Sequence, residues 1–164
     1  MERIKVNFVD LPSQYEDIKD DIMVFFKNTV DKGAFVGGKA LDEFESELAD
    51  YVGVNHAVGC SNGTLALTLA LIGAGIKKGD KVIVPTNSYI ASANAVVHAG
   101  GDPVLVDCDP RSFLIDLNQA ESALKKTGAV FIMPVHLYGN PCPMEEVLQL
   151  AEKYGAVVIE DNAQ

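Results

Sequence analysis

The sequence has no tryptophan and only three cysteines among its 164 residues. Cys60, Cys108 and Cys142 lie far apart, are odd in number and form no CxxC pair. That excludes a disulfide framework and a cysteine zinc site, and leaves three reduced, mostly buried thiols. Basic charge is also short, with 13 Lys and Arg against 23 Asp and Glu and a formal charge of −10. No Lys/Arg cluster offers the basic face that counterion release from a nucleic acid requires. His56, His98 and His136 are scattered, none with a second ligand at i+3 or i+4, so no metal site is expected. No apolar run approaches about 18 residues, which excludes an ordinary membrane span. The opening MERIKVNFVD has no apolar stretch behind a basic start, so no signal peptide is expected and the chain is read as cytoplasmic. The dinucleotide pattern GxGxxG and the phosphate-loop pattern GxxxxGK[ST] are missing, and no Ser-His-Asp triad is expected.

What remains is the composition of a compact α/β protein: 48% hydrophobic residues and 14 glycines, with no repeat or low-complexity tract. Ile18, Ile22, Phe25, Phe26 and Val30 recur at helical spacing after Pro12-Ser13-Gln14, and Gly33 closes that helix. A second amphipathic helix runs from Leu41 to Val52, with Leu41, Phe44, Leu48 and Tyr51 on one face. From His56 onward, β-like runs alternate with helical stretches. The runs are His56–Cys60, Lys81–Val84, Pro103–Val106, Val130–Pro134 and Ala156–Ile159; the helical stretches lie near Thr64–Gly73, Ala91–Ala99, Leu117–Lys126 and Pro143–Tyr154. This alternation predicts a mostly parallel sheet with helices on both faces. Residues 1–54 read as an N-terminal helical segment and 55–164 as the first part of an α/β domain. Ligands of open parallel sheets sit beyond the carboxyl ends of the strands. The sequence stops shortly after its last core-like run, so the expectation is a chain cut inside its domain.

Three segments at such strand ends carry candidate chemistry. Gly59-Cys60-Ser61-Asn62-Gly63-Thr64 precedes a helix whose unpaired N–H groups and dipole suit a phosphate; the alternative is a helix simply capped by Ser61 or Asn62. Tyr89, in Pro85-Thr86-Asn87-Ser88-Tyr89, is placed to stack on a flat ring or to close the core. Glu160-Asp161-Asn162-Ala163-Gln164 sets two carboxylates after an apolar strand, where one can hold a sugar hydroxyl, a metal or a protonated ring nitrogen, or lie solvated on a loop. His136 alone among the histidines stands at a strand's carboxyl end, to touch substrate or to pack.

Together these segments, with Val9-Asp10-Leu11-Pro12-Ser13-Gln14-Tyr15, Phe35-Val36-Gly37-Gly38, Gly79-Asp80-Lys81-Val82-Ile83-Val84-Pro85, Ala99-Gly100-Gly101-Asp102-Pro103-Val104 and Pro134-Val135-His136-Leu137-Tyr138-Gly139, resemble the N-terminal portion of the DegT/DnrJ/StrS sugar aminotransferases. These are fold-type I pyridoxal-phosphate enzymes. The resemblance implies an incomplete large domain of that fold and pyridoxal 5'-phosphate as cofactor. It assigns Gly63 and Thr64 to the phosphate cradle, Tyr89 to the stacked aromatic, Asp161 to the ring nitrogen and Gln164 to the neighbourhood of the phenolic oxygen, with His136 as a substrate-binding candidate. It implies amino transfer from glutamate to a nucleotide-linked keto-deoxysugar, foremost a dTDP-3-keto-6-deoxyhexose, in deoxyaminosugar synthesis by a homodimer.

One departure follows from the same resemblance. The family's Schiff-base lysine lies downstream of the Asp161 motif, and no lysine up to Gln164 matches it, so no catalytic residue is assigned and the chain is expected to be inactive alone. Some relatives carry histidine there and dehydrate instead, a choice these residues do not reveal. The competing expectations are a non-catalytic remnant that binds ligand or pairs with an intact relative, and a generic nucleotide-binding domain.

Overall fold

The computed structural model describes residues 6–164; the first five, read above as part of a leaderless N-terminus, lie outside the described residues. The chain divides into two compact units, Met1–Gly59 and Cys60–Gln164.

The first unit is helical. Helix α1 spans Leu11–Lys32, with Asp10 at its N-cap and Gly33 in the left-handed conformation at its C-cap. Helix α2 spans Lys39–Val52 and ends on Gly53 in the same conformation. The apolar stripes expected from the spacing form, yet Phe25, Phe26, Phe44 and Tyr51 are all exposed. The run His56–Cys60, expected as a strand, is not one. A strand needs a neighbour to close its ladder, and the described elements of this unit are helices. The Gly59 amide instead donates to Glu45 Oε1 of α2 at 2.7 Å.

The second unit is the expected α/β layer structure. Strands β1 (Lys81–Pro85), β2 (Asp102–Val106), β3 (Phe131–Ile132) and β4 (Val157–Val158) form one sheet in the order β2-β1-β3-β4, every pair parallel. Helices α3 (Gly63–Gly73), α4 (Ile90–His98), α5 (Leu117–Thr127) and α6 (Met144–Tyr154) alternate with them. Successive strand residues point to opposite faces. Val82, Val84, Phe131 and Met133 pack with Leu67 and Leu71 of α3 and Ala95 and Val96 of α4. Ile83 and Ile132 pack the other way, against Ala120 and Leu124 of α5 and Val147 and Ala151 of α6. Burial on both faces is the reason these strands read as unbroken apolar runs. Only glycine fits at 101: a Cβ there would sit 2.7 Å from Ile76 Cδ1 and 2.9 Å from the Asp80 carbonyl oxygen, at the entry to β2.

The strand order fixes where a ligand belongs. From β1 the chain steps outward to β2, then crosses back over β1 to β3 and on to β4. The direction reverses between β1 and β3, and crevices of open parallel sheets form at such a switch point, beyond the carboxyl ends of the strands. The segments that leave those ends are Thr86–Tyr89 after β1 and Met133–Gly139 after β3.

Candidate active site

Asp161 lies beyond the carboxyl end of β4, on the edge of the sheet where such a crevice forms. It follows β4, its N–H donates to the Pro134 carbonyl at 2.9 Å, and its own carbonyl accepts the His136 N–H at 3.2 Å. These bonds extend the parallel pairing of β3 and β4 past the strands proper and draw the side chain inward. Asp161 is only 5% exposed. Its Oδ2 accepts the Ser92 hydroxyl at 2.7 Å and its Oδ1 the Ala163 N–H at 3.2 Å. Among the described residues, no lysine, arginine or histidine nitrogen comes within ion-pairing distance of it. A buried carboxylate is expected to have a cation or several donors, and this one has two donors and no cation.

The other sequence-selected residues fall around it unequally. Tyr89 stands at the N-cap of α4, shortly after β1, and is 78% exposed, so it does not close the core. Gln164 accepts the Tyr138 N–H through its side-chain oxygen. Tyr138 has a left-handed backbone (φ 60°) and packs edge-on against Phe113 (φ 61°), ring centres 6.3 Å apart; Asn87 Nδ2 donates to the Phe113 carbonyl at 2.7 Å. His136 has both ring nitrogens engaged. Nδ1 accepts the Cys142 N–H at 2.9 Å, so the neutral ring carries its proton on Nε2, 3.0 Å from Glu160 Oε2. Burial pushes the Cys142 thiol up, consistent with an inert cysteine.

Gly63 and Thr64 open α3, and Asn62 is the cap, its side chain accepting the Leu65 N–H at 2.9 Å. The amides of residues 63 and 64 precede the first intrahelical bond and remain as donors, so the cap and an anion at this terminus are compatible. These two residues form no hydrogen bond with the Asp161 cluster; the link runs through the packing of α3 on α4, where Thr68 Oγ1 reaches the Ala95 carbonyl at 3.5 Å. The letters Gly59-Cys60-Ser61-Asn62-Gly63 do fit the nucleophile elbow GxSxG. An elbow needs a strand before it and a histidine on the serine; no strand is present, and Ser61 Oγ accepts only from Asn62 Nδ2, at 3.2 Å.

A Cβ on Gly63 would meet nothing within 4 Å, and its backbone is helical. Gly63→Ala is therefore expected to leave folding unharmed, or to stabilise by up to about 1 kcal/mol. A helical Cβ tilts toward the N-terminus, the side from which an anion meets the free amides, so affinity for a phosphorylated ligand is expected to fall about tenfold. Melting and phosphate-ligand titration of the same variant check the two opposite directions.

The serines at 88 and 92 escaped the sequence reading. Ser92 carried a signal: Ser92, Ala95 and Val96 share the buried face of α4, and a hydroxyl at i of an i, i+3, i+4 core stripe needs a partner.

A parallel α/β sheet of this order, with helices on both faces, matches part of a fold-type I aminotransferase domain. The solved structure of DesV from Streptomyces venezuelae, in complex with a ketimine intermediate, superposes with a TM-score of 0.92 at 39% identity, over 97% of this chain and 43% of that one. NtdA of Bacillus subtilis with bound cofactor PMP gives 0.91 at 36% identity, over 98% and 37%. The DegT/DnrJ/EryC1/StrS aminotransferase family model matches residues 16–164, and the chain belongs to that family. It is 52% identical over 128 residues to GDP-perosamine synthase of Caulobacter vibrioides, covering 77% of this chain and 34% of that protein. It is 40% identical over 161 residues to the dTDP-3-amino-3,4,6-trideoxy-alpha-D-glucose transaminase of Streptomyces venezuelae, covering 98% and 42%. The chain thus spans less than half the length of these relatives.

Proposed function

We propose that this chain supplies the cofactor-holding part of a pyridoxal-phosphate-dependent aminotransferase that moves an amino group from glutamate to a keto group of a nucleotide-linked deoxysugar. The observation that carries this reading is the buried Asp161 with donors but no cation. A protonated pyridine nitrogen is the cation that suits it, and the residues present fit the rest of the cofactor: amides 63 and 64 for the phosphate, with Thr64 able to add its hydroxyl, and Tyr89 for the ring face. Gln164, bonded to the Tyr138 amide, is assigned to the ring's oxygen side. Bound there, the cofactor supplies a protonated ring that draws electrons from the carbon bearing the amino group. The protein's share is to hold that ring flat, keep its nitrogen against Asp161 and bury the pair away from water.

The substrate is proposed as a dTDP-linked 3-keto-6-deoxyhexose, on the pattern of the opening and middle motifs. A GDP-linked 4-keto sugar is the second reading, favoured by the 52% identity to a GDP-perosamine synthase. His136, with Nδ1 and Nε2 already bonded, is proposed to reach substrate only through Glu160, which it orients. The apolar faces of α1 and α2 support a homodimer, since exposed apolar surface of this kind marks an interface. Cytoplasmic location is proposed with it; no described helix is long and apolar enough to cross a membrane. The test is competitive binding, read by saturation-transfer NMR on the chain with pyridoxamine phosphate. One of the two keto-sugar nucleotides should bind at least about tenfold better than its free mononucleotide. Mononucleotide binding that ignores both sugar and cofactor would sink the reading in favour of a nucleotide-binding domain.

A further inference from the structure

Asp161 is not held by its own loop alone. Ser92 is 1% exposed, in the first turn of α4, and its hydroxyl donates to Asp161 Oδ2 at 2.7 Å across 69 positions of sequence. A second hydroxyl follows: Ser88 Oγ lies 2.6 Å from Ser92 Oγ. Either could donate in isolation, but a serine has one hydrogen, and that of Ser92 is spent on Asp161. Ser88 is therefore the donor to Ser92, and the chain of bonds runs one way, Ser88 to Ser92 to Asp161.

We propose that Ser92 is a positioning residue for the Asp161 carboxylate, with Ser88 as the outer member of the relay. The inference rests on the cofactor reading above. An aspartate side chain turns about its last bond through a broad, nearly two-fold well. A hydrogen bond on Oδ2 from a rigid helix stops that rotation and fixes the direction in which Oδ1 points. Oδ1 has only the longer Ala163 contact, 3.2 Å, and is the oxygen left for a ligand. Directed donors in series also polarise one another, which strengthens the inner bond. Because Ser88 precedes Tyr89, the segment after β1 carries both the aromatic face and the outer end of the relay. Ring stacking and ring-nitrogen pairing are thereby fixed by one turn of chain.

The experiment uses the full 164-residue chain and pyridoxamine phosphate labelled with 15N in its ring. Ser92→Ala is expected to weaken binding about tenfold and to move the ring 15N resonance toward that of an unprotonated pyridine. Ser92→Thr, which keeps the hydroxyl, should stay within about twofold of the parent with the resonance unmoved, and Ser88→Ala should lose about threefold. A structural role alone lowers stability without touching the 15N signal, so an unmoved signal in Ser92→Ala overturns the proposal. A second measurement needs no cofactor: a double-mutant cycle of Ser92→Ala with Asp161→Ala, each of which removes the bond, in urea unfolding. Non-additive effects support the relay, and strict additivity overturns it. Should the parent chain fail to bind pyridoxamine phosphate while the cycle shows coupling, the cofactor reading fails and the Ser92–Asp161 contact stands.

Discussion

Asp161→Asn is expected to lower affinity for pyridoxamine phosphate about 100-fold while leaving the fold intact. The substitution is chosen for what it preserves. Asparagine has the same shape, its amide oxygen still accepts the Ser92 hydroxyl, and the backbone bonds to Pro134 and His136 do not involve the side chain. It removes the charge and, by setting an NH2 where Oδ1 stood, gives up the 3.2 Å contact from the Ala163 N–H. A hydrogen bond to a charged group contributes about 1.5–3 kcal/mol, and about 1.4 kcal/mol is tenfold in an equilibrium constant. The upper part of that range applies because the side chain is buried and no other counter-charge reaches it among the described residues. Asp161→Ala adds the cost of a stranded Ser92 hydroxyl, about 1–3 kcal/mol. The Asn variant is therefore the cleaner probe, and the difference between the two in thermal melting measures that stranded group. Equal affinity in parent and Asn variant would remove the charge argument from under the whole site.

The fold was open to reading because its determinants are local or periodic. Val82-Ile83-Val84 is apolar without alternation because both faces are covered, and Gly33 ends α1 because its left-handed backbone excludes a side chain at little cost. The run His56–Cys60 misled for a matching reason. Its residues suit a strand, but a strand is a relation between two segments, and composition does not report whether the second is present. In the structure the Gly59 amide went to Glu45 instead.

The candidate site divides along the same line. Asp161, Tyr89 and Gly63 were visible because each follows, or precedes, an element in a fixed topological position. Ser92 was visible only as a core-facing hydroxyl in need of a partner; the partner, an oxygen 69 residues away, was not. His136 was half visible: its place at a strand end is sequential, but the occupation of both its nitrogens by Cys142 and Glu160 is spatial. Positions that topology fixes are legible in one dimension, and partners that topology brings together are not.

The same topology decides the second large effect: the 164-residue chain by itself should transfer no amino group. The reaction needs an amine that both anchors the cofactor and shuttles a proton, the proton transfer alone being worth about 10²–10⁴-fold in rate. The unit Cys60–Gln164 contains six lysines, and every one lies at the wrong edge of the sheet. Lys77 and Lys78 sit in the turn before β1, Lys81 opens β1 and donates to the Thr127 carbonyl, and Lys125, Lys126 and Lys153 occupy the last turns of α5 and α6. Lys153 and Lys125 are further tied to Glu121, whose carboxyl pKa is lowered to about 2 by hydrogen bonds from Lys153, Tyr154 and Lys125 in that order. Asp161, Tyr89 and His136 all follow the carboxyl ends, a full strand away. A parallel α/β unit places helix C-termini and strand N-termini on one edge, so no side-chain rotation moves these amines across. Incubation with keto-sugar nucleotide and glutamate should yield no 2-oxoglutarate above background. Borohydride reduction of the chain with pyridoxal phosphate should scatter label thinly over exposed lysines. Stoichiometric label on one lysine of this unit, together with turnover, would show that the chain reaches its own cofactor by a route this sheet does not allow.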